Sequence, residues 1–370
     1  MAPYRPVSKR ACSVAGVEAV WVMTGTLVLN YPVNFVIPEQ YLWEDMRFGH
    51  ADQIDEQKLS QYAVGTRNAW VSRTYFHLSS LGVDVTHSPT PDRTAINVVA
   101  PRDFGRRDRH PDDFIIVPRC DSHRPMLANY TLTQCAAAPE NTTTSYMPLW
   151  PQANIRARDH VTRQGISRLS FKGRLANLEP PFRSQAFIDQ LSAMGVELAL
   201  DAFDGLQGQH DWGDYTDSDV VLAVRNLTQR DALHKPPSKL VNAWFGETPA
   251  ILGPEPAFRS IRQSDLDYCE VFTPEDVIAV LRKLRETPAL FEAMIENGRK
   301  RREAYTVTQR AAAWVDVINT RAGPLFDQWQ RKSPITRRLV WSSMMVTEPM
   351  SKRYYRHYIG RGQRILDMET

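Results

Sequence analysis

The chain has 370 residues, 42% hydrophobic and 24% charged, with 45 Lys and Arg against 42 Asp and Glu, a formal net charge of +3. Such globular composition excludes disordered, collagen-like and coiled-coil classes, and the length suggests two domains. So small an excess of cations makes no general case for nucleic acid, so a basic patch has to be local. Cys12, Cys120, Cys135 and Cys269 are scattered without a Cys-x-x-Cys pair, which argues against a disulfide scaffold or zinc ribbon and for a reducing, cytoplasmic setting.

Residues 11–29 form a mostly apolar run behind Arg5, Lys9 and Arg10. A signal anchor is one reading, but Glu18 at a bilayer centre would cost roughly 3 kcal/mol, and the β-branched run suits a buried strand better. The sequons at Asn129, Asn141 and Asn226 carry little weight without a secretory signal. VNFVIP at 33–38 reads as a buried strand, residues 57–81 as a helical stretch ending at Gly82, and VDVTHS, AINVVAP and DFIIVPR as further strands. Strands alternating with helices predict a parallel α/β sheet. Residues 136–165, rich in Pro, Thr and Asn, read as an interdomain connection. The rhythm then restarts. ISRLSFKG, VELALDAF, DVVLAVRN, TPAILG and CEVFT are expected strands, interspersed with helices at SQAFIDQLSAMG, SKLVNAWFGE and the paired helical stretch 275–305.

This organisation predicts two Rossmann-like α/β domains, residues 1–155 and 156–320, followed by a basic helical segment, 321–370. The last segment carries Arg331, Lys332, Arg337, Arg338, Lys352, Arg353, Arg356, Arg361 and Arg364, interleaved with Trp341, Tyr354, Tyr355 and Tyr358. One reading is a solvated helix face packing back across the domains; another is contact with an anionic acceptor or peripheral contact with anionic lipid at the inner face of a membrane, and nucleic acid is a third.

The chemistry concentrates between Asp219 and Glu255. A buried strand ends at Arg225, a loop carries Lys235-Pro236-Pro237, and a helix opens near Ser238, a candidate N-cap. The first turn of that helix offers free amides at Ser238 to Leu240 and the positive end of its dipole, with Lys235 and Lys239 adding charge. An ordinary cap with solvent-facing lysines is the plainer reading of the same residues.

HKPPSKLVNAWFGETPAILGPE and the following residues 264–307 resemble the C-terminal donor-binding domain of GT-B glycosyltransferases, the retaining family 4-like class in particular. SFKGRL at 170–175 resembles the opening strand of that domain, and the likeness spans about residues 165–318. It implies a GT-B fold, two Rossmann-like domains facing across a cleft with a C-terminal helical extension, and transfer of a hexose from a nucleotide-diphosphate sugar to a glycan or lipid-linked hydroxyl acceptor. Under that resemblance Gly173 and Arg174 meet the donor diphosphate, together with Arg225, His234, Lys235, Pro237, Ser238, Lys239, Leu240 and Asn242. The family places two glutamates eight positions apart around this loop; His234 and Asn242 stand there here. The family's lysine just beyond Gly-Arg is also replaced, by the Asn177, Glu179 and Pro180 region.

Breaking a glycosidic bond to a diphosphate demands charge stabilisation on the leaving group, which cations and oriented N–H donors supply without a metal. Arg174, Lys239 and, on the acceptor side, Asp103 are the expected catalytic residues, with no cofactor beyond the donor itself. Asp217-Ser-Asp219 has metal-motif spacing but directly precedes a strand, so a turn is its expected role. Glu39, Glu44, Asp45 and His50 follow the first strand, and Cys120, Asp121, His123 and Arg124 follow another as a cleft-lining segment. Two competing readings are a non-catalytic GT-B subunit that binds glycan or nucleotide sugar, and a nucleotide-sugar epimerase of the same shape. A dinucleotide oxidoreductase is disfavoured, because no Gly-x-Gly-x-x-Gly follows a strand.

Overall fold

A computed structural model of the chain describes residues 26–43, 56–62, 65–202 and 212–368. Among these residues the strands form two sheets, each parallel throughout. The first contains β1 (Val33–Val36), β2 (Thr86–Ser88), β3 (Ile96–Val99), β4 (Phe114–Pro118), β5 (Tyr130–Thr133) and β6 (Thr144–Tyr146), in the order β2-β1-β3-β4-β5-β6. The second contains β7 (Arg168–Gly173), β8 (Glu197–Ala202), β9 (Val220–Ala223), β10 (Ala250–Leu252) and β11 (Cys269–Glu270), in the order β11-β10-β9-β7-β8. Both are doubly wound, with the topological switch beside the first strand of each sheet.

Among the described residues α1 (Glu56–Tyr62) and α2 (Arg73–Ser80) precede β2, the latter entered through a helical turn, Gly65–Arg67, and a π-helical segment, Asn68–Ser72. The second sheet carries α3 (Gln185–Ala193), α4 (Gln229–Ala232), α5 (Ser238–Phe245), α6 (Pro256–Ile261), α7 (Pro274–Glu286) and α8 (Pro288–Arg302). Local sequence explains their starts. The Ser184 and Thr228 hydroxyls cap α3 and α4, while Thr273 and Asp276 form a reciprocal capping box ahead of α7 with Pro274 at its first position.

The first domain departs from the expected rhythm. The links β3–β4, β4–β5 and β5–β6 are loops without a helix of their own. The sheet's faces are covered by helices from the end of the chain: α9 (Val307–Val317), α10 (Gly323–Gln330) and α11 (Pro334–Tyr358). Ala311, Trp314, Ile318, Phe326 and Trp329 join Val33, Phe35, Ile96, Val98, Phe114 and Ile116 in one core. The alternate residues Val36, Val99, Ile115 and Val117 form a core on the opposite face with Met345 of α11. Period-two alternation along each strand thus sends two apolar sets to two different groups of helices. The return to the first domain begins at Val307, ahead of the expected boundary at 321, because α9 contributes Trp314 and Ala311 to that core.

After α11 the chain crosses again. Gly360 N donates to Asp231 Oδ2 (3.0 Å), Ile365 N donates to Leu227 O (3.1 Å), and Arg364 pairs with Glu179 (2.9 Å), so the tail is stitched to the second domain. The architecture is the expected one: two Rossmann-like α/β domains with a C-terminal helical extension that ties them together.

Candidate functional site

The carboxyl ends of the two sheets face one another. The segment after β4 and the segment after β5 meet the loop that leads into α5. Lys235 Nζ donates to Asp121 Oδ2 (2.8 Å), Arg119 Nη2 lies 3.1 Å from His234 Nε2, and Gln134 Nε2 donates to His234 O (2.5 Å). In doubly wound sheets ligands bind outside the carboxyl ends of the strands at the switch point. In the second domain that point lies between the ends of β7 and β9, where Gly173, Arg174 and Arg225 emerge.

Lys239 occupies this corner. It sits in the first turn of α5, and its ammonium donates to the carbonyl of Lys172, the penultimate residue of β7. A methyl group on Gly173 would press on the Phe171 ring at 3.3 Å and lie at ordinary contact distance, 3.6 Å, from Lys239 Nζ, so the strand end and the amine are close neighbours. The indole of Trp212 lies over the ammonium at 5.3 Å. Burial, reinforced by the charges of Arg225 and Lys172, lowers the Lys239 pKa to about 7 although Glu255 pulls the other way. Among the described residues no carboxylate forms an ion pair with it. A cation held without a counter-charge in a partly dehydrated corner is a site that favours an anion.

The helix start contributes less than the sequence suggested. Pro237 (φ −75°, ψ 24°), not Ser238, is the N-cap, and it makes no side-chain cap; Ser238 is the first helical residue. A proline there already fixes the entry, so the hydroxyl is not needed as a cap. Leu240 N and Val241 N both donate to Pro237 O (3.0 and 3.1 Å), which leaves the amides of Ser238 and Lys239 available. Leu240 is a core residue, packed in the cluster that includes Val221, Ala223 and Phe258. Arg174 follows Gly173 in an extended conformation (φ −74°, ψ 131°) and is exposed beside the corner.

Arg225 is committed elsewhere. Its guanidinium grips buried Glu255 through both carboxylate oxygens, Nε to Oε1 at 2.8 Å, and also donates to Pro236 O (3.3 Å). It braces the Lys235-Pro236-Pro237 loop and is neutralised by Glu255. His234 and Asn242, at the two glutamate positions of the resembled family, serve the domain interface. Burial and neighbouring Arg119 lower the His234 pKa to about 4, so its ring is neutral beside that guanidinium. Asn242 Oδ1 accepts from Gln152 N (3.0 Å), fastening the interdomain connection to α5.

Asp103 follows β3, but Arg67 pairs with its carboxylate, and that guanidinium also stacks 3.7 Å over Tyr41. Burial raises the Asp103 pKa against the pull of Arg67. Asp103 lines a cavity of about 520 Å³ with Arg102, Asp121, His123, Lys352 and Tyr355, on the first-domain side of the cleft. Cys120 is buried with φ 53°, and burial pushes its thiol well up; His123 is bound to Glu348 (2.6 Å), so no Cys–His pair forms. Asp219 is a structural hub, accepting from Arg158, Arg163 and the amides of Ser167 and Arg168. Those bonds hold its pKa down to about 2 although burial opposes them. Glu44, Asp45, His50 and residues 11–25 of the N-terminal apolar run lie outside the described residues. Among the described residues no helix is long and apolar enough to cross a membrane.

Sequence reasoning missed Lys172, Asp201 and Glu255. Lys172 and Asp201 are register partners on β7 and β8, and Lys172 Nζ donates to Asp201 Oδ2 (2.7 Å) with its stem fully buried. The signal was a charge next to the last residue of each of two apolar strands, Lys172 in RLSFKG and Asp201 in ELALDA: a buried lysine needs a neighbouring acid.

No family model matches the chain, and a search of curated proteins finds no match. Similar solved structures include TarM (8% identity, TM-score 0.43), for which 62% of this chain and 55% of that one are covered. Anabaena HepE in complex with UDP and glucose gives 9% identity and a TM-score of 0.49, covering 79% and 100%. AviGT4, a glycosyltransferase involved in avilamycin A biosynthesis, gives 16% identity and 0.40, covering 70% and 89%. The chain spans about half the length of TarM.

Proposed function

We propose that the chain is a glycosyltransferase that moves a hexose from a nucleotide-diphosphate sugar to a hydroxyl of a glycan or lipid-linked acceptor. The observation that carries this reading is Lys239: an ammonium without a paired carboxylate among the described residues, at the switch point, with two open amides and Arg174 beside it. A diphosphate seated there would meet Lys239, the amides of Ser238 and Lys239, and the guanidinium of Arg174. As the bond from the anomeric carbon to phosphate breaks, those groups stabilise the negative charge on the leaving nucleoside diphosphate. The acceptor oxygen bonds to the anomeric carbon, and its proton passes to a leaving phosphate oxygen. The sequence resemblance adds retention of configuration, and independence from a metal is proposed because cations and oriented N–H donors can stabilise the leaving group by themselves. The resemblance also leaves no protein carboxylate required as the base, which accommodates His234 and Asn242. Asp103, in the cavity across the cleft, is the residue we assign to acceptor contact.

A second reading, a non-catalytic nucleotide-sugar binding subunit, draws support from the engagement of both His234 and Asn242 at the domain interface. One experiment separates the two. Thermal melts against UDP, GDP and ADP identify the base, since a bound ligand raises stability by mass action; the matching nucleotide sugars are then incubated with hydroxyl acceptors. Release of nucleoside diphosphate with a glycosylated product is expected. Binding without turnover favours the second reading, and no shift with any nucleotide refutes both. An isomerised sugar without glycosylated product would make the chain an epimerase.

A further inference from the structure

We infer that the outer face of α11 docks on an anionic lipid surface. The 25-residue helix lies against the first domain along one side, and its last turns also meet the second domain, where Arg230 lies over the rings of Tyr354 and Tyr358. Trp341 Nε1 donates to Arg109 O (2.8 Å), Met345 enters the core, Glu348 binds His123, Ser351 donates to Arg124 O, and Tyr355 donates to Asp121 O. The opposite side is open. Ile335, Leu339, Val346 and Met350 are 73%, 67%, 65% and 64% exposed, and helical spacing brings them into one stripe. Single exposed apolar residues are ordinary, but an aligned set on one helix is not. About 37 Å of helix is presented at 1.5 Å per residue.

Charge identifies the occupant. Exposed Arg338, Arg353 and Arg356 flank the stripe, and Arg331 and Lys332 precede it. Glu348 is the sole acid in the helix, and it is buried on the inner side between His123 and Lys352. A face made of apolar side chains, hydroxyls and cations, with its carboxylate turned inward, suits the boundary between anionic headgroups and acyl chains. A soluble protein partner would need an apolar surface ringed by acids. A lipid leaflet provides both components without further shape matching.

The test uses the purified full chain and sedimentation with vesicles of phosphatidylcholine, alone or with a third phosphatidylglycerol. It requires no nucleotide or turnover, so its outcome is independent of the donor reading. Binding to the anionic vesicles and its weakening in high salt are expected. Arg338→Gln and Arg353→Gln should each lower the partition coefficient roughly fivefold, and Leu339→Glu/Met350→Glu should lower it at least about tenfold. Melting curves of these surface variants check that the fold is retained. Equal partition onto neutral vesicles would overturn the inference, as would absence of binding. Binding unchanged in Leu339→Glu/Met350→Glu would also overturn it and point to another segment, such as the apolar run 11–29. A dimer in solution that the same double substitution dissociates would assign the stripe to a second copy of the chain instead.

Discussion

The low pKa of Lys239 makes the donor corner accessible to a pH experiment. Burial with Arg225 and Lys172 lowers that ammonium from 10.5 to about 7, so above neutrality most free protein carries a neutral amine there. A bound diphosphate favours the charged form and raises the pKa again, so binding takes up a proton. If the bound pKa returns to 9.5 or above, linkage requires the nucleoside diphosphate Kd to rise about twentyfold between pH 7.5 and 9, about 1.8 kcal/mol. The terminal phosphate ionises near pH 6, so the ligand charge is constant across that window. Calorimetry in two buffers of different ionisation enthalpy counts the protons; an uptake approaching one at pH 8 is expected, and Lys239→Met should abolish both uptake and slope. Stability has a definite sign as well. The folded pKa lies below the unfolded one, so the unfolded chain binds the extra proton between about 7 and 10.5, and ligand-free stability from this group rises with pH there. A Kd flat from pH 7.5 to 9 with no proton uptake would refute the placement of the diphosphate on Lys239.

Arg174 is exposed, so Arg174→Ala should leave stability within about 0.5 kcal/mol of the parent. It should nonetheless weaken nucleotide binding by about 10–150-fold, or 1.5–3 kcal/mol, in the same calorimeter; unchanged affinity removes Arg174 from the site. Arg225→Ala should lower unfolding stability in urea by about 3–5 kcal/mol, because it leaves Glu255 buried and unpaired. Arg225→Met/Glu255→Leu should recover much of that loss, and a single-variant cost under about 1 kcal/mol would contradict the bracing role.

The second domain was legible because local and tertiary signals agree there. RLSFKG and VVLA are strands whose apolar runs match burial on both faces, ELALDA is the part-exposed edge strand beside them, and the helices between them carry their caps in sequence. The first domain was only partly legible. Its strands announced themselves, but the chain-end helices covering them were about 200 to 310 residues downstream, and nothing in VNFVIP or DFIIVPR says that Trp314 and Met345 will cover opposite faces. Lys239 was singled out by its place after Pro-Pro-Ser. The neutralisation of Arg225 was not, because its partner Glu255 reads in sequence as part of a Gly-Pro turn beyond the next strand.

His234 and Asn242 stand at the two positions where the resembled family carries glutamates. A carboxylate at 234 would face Arg119, while that residue's own main-chain oxygen accepts from Gln134 Nε2 whatever its side chain; a carboxylate at 242 could still accept from Gln152 N. The observed His and Asn make those same contacts as neutral groups, so both positions secure the closed apposition of the domains without adding negative charge near Lys239. With Arg225 balanced by Glu255 and Lys235 by Asp121, the excess charge of the corner resides on Lys239 and Arg174. Two nearby acids would have paired with that lysine and weakened its claim on a phosphate. Under the proposed reading their absence would favour diphosphate binding, and specificity for base and sugar would come from other walls of the cleft, such as Trp212 over the ammonium.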